Sequence, residues 1–109
     1  MKQGNMTFYL VKAKVKNLIL ELRQEMESGK IKKLVPYGNS LHYSLENAKR
    51  DVKEGVYALW IEEDYCSPPL ATERESVLDR YFDDLMVEIV ESEKAGWAKI
   101  KDKPNMWAE

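Results

Sequence analysis

The chain has 109 residues, 44% apolar and 33% charged, and its 17 basic and 19 acidic residues leave a formal net charge of −2. That is room for one domain whose core needs no disulfide or metal to hold it, and the composition is far from that of a disordered chain. No concentrated basic face is available to displace counterions from phosphates, so nucleic acid is not an expected partner.

A single cysteine, Cys66, excludes an internal disulfide and points to a reducing, cytoplasmic setting. The longest apolar run, 56–61, is too short to cross a bilayer. Residues 1–5 lead into a strand-like segment without the apolar centre of a signal peptide, so no membrane partner is expected.

Residues 7–15 are rich in β-branched and aromatic types, and from Val11 onward they alternate: Val11, Ala13 and Val15 on one face, lysines on the other. This predicts a strand with one buried face. Lys12, Lys14 and Lys16, with Lys30, Lys32 and Lys33 nearby, read as a solvent face rather than a phosphate site. Asn17 is placed to cap a helix in which Leu18, Ile19, Leu22 and Met26 repeat at helical spacing, and Gly29 follows its end.

Residues 31–35 read as a short strand, Pro36-Tyr37-Gly38-Asn39 as a turn, and 41–43 as a returning strand or the start of the next helix. Ser44 would cap a second helix carrying Leu45, Ala48 and Val52 on one face, closed by Gly55. The run Val-Tyr-Ala-Leu-Trp-Ile at 56–61 predicts a central strand buried on both sides.

A loop over 62–69 ends in a proline pair. Thr72 and Glu75 then stand at capping-box spacing ahead of an apolar stripe formed by Leu70, Val77, Leu78, Tyr81, Phe82 and Leu85. That gives a third helix reaching Asp83 or Asp84, followed by a strand over 86–90 and a second arm at 97–100 that pairs back as a hairpin. The expected fold is α+β: a small mixed sheet of ferredoxin-like type with helices on at least one face, spanning 1–101. Residues 102–109 form an irregular tail packed on the domain or on a partner.

No catalytic motif is present. Glycine-rich phosphate loops and the EF-hand pattern are both missing, so no cofactor is expected. The best candidate pocket is the segment after the central strand, with Glu62, Glu63, Asp64, Tyr65 and Cys66, joined by the single histidine His42 if the fold brings it near. A reactive Cys66 would need a helix N-terminus or a cation to lower its pKa, and the neighbouring acids oppose that. His42 would suit general-base work near neutral pH, yet equally suits a surface or interface position.

Trp97, Met106 and Trp107 are large side chains near or in the tail, and they mark a candidate interface. The leading functional expectation is therefore a non-catalytic binding or regulatory module, acting as a homodimer or with a protein partner. The alternatives are a small enzyme or small-molecule binder using the 62–69 pocket, and a Ca²⁺ or Mg²⁺ binder using Glu62, Glu63, Asp64, Asp79, Asp83 and Asp84.

Overall fold

The computed structural model describes residues 7–17, 19–64 and 70–108. Strand β1 (Thr7–Val15) forms where the alternation predicts it. It is followed by helix α1 (Ile19–Ser28), which turns Leu22 and Met26 inward and ends before Gly29 at φ 86°. Helix α2 (Gly38–Glu46), the two-residue strand β2 (Lys49–Arg50) and strand β3 (Tyr57–Asp64) come next. Helix α3 covers residues 71–81 in three contiguous pieces: α-helical Ala71–Glu73, π-helical Arg74–Leu78 and α-helical Asp79–Tyr81. Strand β4 (Phe82–Val90) and helix α4 (Glu93–Lys99) complete the described elements.

The four strands make one sheet in the order β2-β3-β1-β4, antiparallel at every neighbouring pair. With α1 and α2 between β1 and β2, and α3 between β3 and β4, this is the ferredoxin-like β-α-β-β-α-β order. The fold is α+β. Strand β1, rather than the apolar run in β3, is the middle of the long strands: Leu10 faces Ile61 on one side and Glu88 on the other. One extra residue in β4 between its partners to Lys12 and Lys14 makes a bulge, and Asp84 there takes φ 52°.

The sheet is covered on both faces. Val11, Ala13, Ala58, Trp60 and Phe82 share one cluster with Leu22 and Met26 of α1, Leu41 and Leu45 of α2, and Val77, Leu78 and Tyr81 of α3. On the other face Leu59, Ile61 and Val90 pack with Ile100 and Trp97, below α4. Gly96 lets that helix approach closely, since a Cβ would stand 2.7 Å from Ile61 Cδ1.

Four sequence expectations are corrected. Residues 31–35 form no strand: 30–37 is a succession of turns, and 41–43 follow the helix alternative, within α2, which Gly38 begins. Gly38 is required by close approach, because a Cβ would run into the Ile31 and Lys32 carbonyl oxygens. Ser44 does not cap a helix over 44–55. It lies buried within α2 and donates to Ile61 O at 2.6 Å, covering the edge of β3 where short β2 leaves it open, while Val52 is solvent-exposed.

The third helix stops at Tyr81, so Phe82 and Leu85 serve β4 instead. Residues 97–100 form no hairpin arm, because Ser92 Oγ accepts from Ala95 N at 3.0 Å and caps α4.

The tail runs back over the domain. Arg50 N donates to Pro104 O at 2.8 Å and Met106 N to Ala48 O at 2.8 Å, which adds a bridge outside β2. Among the described residues no helix is long and apolar enough to cross a membrane.

Candidate functional site

On β3 the side chains of Ala58, Trp60, Glu62 and Asp64 fall on one face by the period of two, and all four are buried. The row that starts in the apolar core thus ends in two carboxyl groups. Helix α3 brings a third. Glu73 stands three residues after Leu70 and four before Val77, inside the apolar stripe, and is only 2% exposed.

Helix α3 starts without the expected Thr72–Glu75 box. Its N-cap is Leu70, in the left-handed region at φ 60°, with no side-chain cap among the described residues. A bulky residue there is strained, and the strain is held by packing and by Asp64, whose Oδ2 accepts from Leu70 N at 2.6 Å. The acid at the end of β3 therefore anchors the entry to α3.

Between these elements lies a cleft of about 190 Å³ lined by Pro36, Tyr37, Ser40, Glu63, Asp64, Thr72 and Glu73. The turn before α2 supplies Pro36 and Tyr37, the first turn of α2 supplies Ser40, and α3 faces them with Thr72 and Glu73. Glu62 sits behind, 1% exposed.

The electrostatics are one-sided. Burial, then the negative charge of Glu73, holds the Glu62 carboxyl well above its ordinary value of 4.5. Trp60 and Ser44 pull the other way, but among the described residues neither Glu62 oxygen is within hydrogen-bond geometry of any group. Burial also raises Glu73, helped by the negative charge of the Asp64 carboxyl. Among the described residues Glu73 Oε1 has no hydrogen-bond partner. Carboxyls held in this way keep a proton at higher pH and can donate it, which is how many general acids are prepared.

The candidate residues from sequence are divided by the fold. Glu63 and Asp64 line the cleft and Glu62 supports it, all three within β3 rather than in a loop. Tyr65 and Cys66 lie outside the described residues. His42 does not line the cleft. Its Nε2 pairs with Glu46 one turn along α2 at 3.2 Å, and its Nδ1 is buried without a partner among the described residues.

Asp79 pairs with Arg74 at 3.6 Å and Asp83 with Lys16 at 3.5 Å, so these acids serve the surface. Among the described residues no three His, Cys, Asp or Glu side chains are placed to hold a metal ion. Glu73 is the residue that sequence reading missed. The available signal was its position, three residues after Leu70 and four before Val77 on the apolar face, a position it shares with the neighbouring Arg74 at i+4.

Trp97, Met106 and Trp107 each find partners within the chain. Trp107 Nε1 donates to Leu45 O at 2.9 Å, and Arg23 lies over its ring. Met106 packs on the main core, and Trp97 meets Tyr43 edge-on with ring centroids 6.4 Å apart.

No protein-family model matches the chain, and no curated protein matches it. A solved structure similar to it is a "Putative antibiotic biosynthesis monooxygenase from Nitrosomonas europaea", at 13% identity and a TM-score of 0.43, over 84% of this chain and 94% of that one. The ferredoxin-like assignment above rests on the strand order.

Proposed function

We propose that this protein binds a small molecule in the cleft between the start of α2 and the start of α3, with Glu73 and Asp64 as its polar floor. The observation that carries the reading is Glu73: a buried carboxyl facing a cleft, with one oxygen unpartnered. An unsatisfied buried polar atom costs stability, and such groups are retained where a ligand uses them. Proton transfer is the chemistry that the pair would support, because Asp64 is fixed by Leu70 N and Glu73 is held protonated to higher pH.

A fragment screen read by amide NMR on the full chain tests this. Shift changes should concentrate at Tyr37, Ser40, Thr72 and Glu73, and should disappear in Glu73→Leu. Fragments that saturate only other surfaces would defeat the reading.

The non-catalytic module remains the second reading, now favoured by β4 rather than by the tail. Strand β4 ends the sheet, its outer edge is unpaired among the described strands, and Met86 and Ile89 on it are exposed. A homodimer or protein partner would add to this edge. Light scattering of the chain and of Ile89→Lys distinguishes the cases: a dimer broken by the substitution supports edge pairing, and a monomer in both removes it.

A further inference from the structure

We infer that the ligand of the cleft is a small organic ammonium ion whose nitrogen is held by Glu73 and whose carbon body lies against Tyr37 and Pro36. This rests on the proposal that the cleft binds a small molecule, and it adds the chemical class.

Among the described residues the charges that line the cleft are of one sign, Glu63, Asp64 and Glu73, with Glu62 buried next to Glu73. Oε1 of Glu73, without a hydrogen-bond partner among the described residues, is an acceptor once ionised, and an ammonium group offers three donors and no acceptor. A cation entering here would relieve the mutual repulsion of Glu62 and Glu73, whereas an anion would add to it.

The rest of the wall suits a carbon body. Tyr37 supplies an aromatic ring of the kind that attracts cations, and Pro36 an apolar surface. A volume of about 190 Å³ equals the liquid share of about six waters, which fits an amine of roughly six to ten non-hydrogen atoms. A metal ion is the poorer fit, because the described residues bring no set of three suitable ligands together.

Binding should displace protons. The burial and neighbouring acids that raise Glu62 and Glu73 are countered by a bound cation, so ammonium binding at a pH where these carboxyls still hold protons releases them to buffer.

The test is calorimetry and amide NMR on the full chain with three compounds of similar shape: phenethylammonium, phenethyl alcohol and phenylacetate. Phenethylammonium should bind at the cleft, with heats that vary with buffer ionisation enthalpy in the sense of proton release, and the alcohol about tenfold or more weaker. Glu73→Gln should weaken the ammonium about tenfold or more and reduce the proton release. Should that variant fail to fold, Tyr37→Leu replaces it, with weaker ammonium binding expected. Equal binding of the alcohol at the cleft would overturn the ammonium assignment and leave the small-molecule reading standing. No cleft binding by any of the three would overturn the assignment, and a fragment screen that is also empty there would take the broader reading with it.

Discussion

The two halves of the helix-facing row of β3 are equally buried and chemically opposed. Ala58 and Trp60 are 0% exposed, Glu62 1% and Asp64 4%. Trp60 meets Phe82 at 5.1 Å between ring centroids and belongs to the cluster that unites the sheet with α1, α2 and α3. Glu62 occupies an equivalent position two residues on, with neither oxygen bonded among the described residues. Burial by itself therefore does not define core. In the first half it removes apolar surface from water. In the second it desolvates carboxyls and sets up a proton-holding site at some expense in stability.

The largest effect should come from the apolar half. Trp60→Ala removes the biggest fully buried side chain and should lower unfolding stability by about 3–5 kcal/mol, read by urea denaturation. A loss under about 1 kcal/mol would mean that this end of β3 does not organise the core.

The acidic half should respond in the opposite direction. Glu62→Leu removes an unbonded buried carboxyl and should raise stability by about 1–3 kcal/mol at pH 8. The gain depends on pH with a definite sign. Because the folded-state pKa of Glu62 lies above 4.5, the folded chain holds a proton that the unfolded chain has released. Stability of the parent therefore declines as pH rises above 4.5, until the folded carboxyl itself ionises. The variant should lose most of its advantage near pH 4.5 and show a flatter profile above it. A Glu62→Leu chain that is less stable at pH 8 would show that the carboxylate has a compensating partner.

Legibility from sequence followed the same division. The strict alternation of Val11, Ala13 and Val15 made β1 readable to its last residue, and the run at 56–61 located most of β3. The strand's last residues, Glu62–Asp64, were not readable, because carboxyls after an apolar run ordinarily solvate a strand end; here Glu62 and Asp64 are buried and only Glu63 is exposed. Helix α2 was hidden for another reason. Pro36-Tyr37-Gly38-Asn39 has the composition of a hairpin turn, and what makes Gly38 a helix start is contact with the Ile31 and Lys32 carbonyls, a tertiary fact. Glu73 needed the course of α3 relative to β3, although its place in the apolar row was visible in advance.

The smallest effect isolates the comparison from general stability. Helix α4 packs on the opposite face of the sheet, against Leu59, Ile61 and Val90, and it is capped by Ser92 Oγ at 3.0 Å from Ala95 N. Ser92→Ala should cost about 1 kcal/mol by loss of that cap. No carboxyl with a raised pKa touches the cap, so the cost should be the same at pH 5 and pH 8 when both are measured by urea denaturation. Set beside Glu62→Leu, it separates two kinds of change: one that shifts the stability curve uniformly, and one that alters its slope. If Ser92→Ala also changed the slope, the titrating groups would be coupled across the sheet rather than confined to the cleft, and the acidic end of β3 could no longer be treated as a local site.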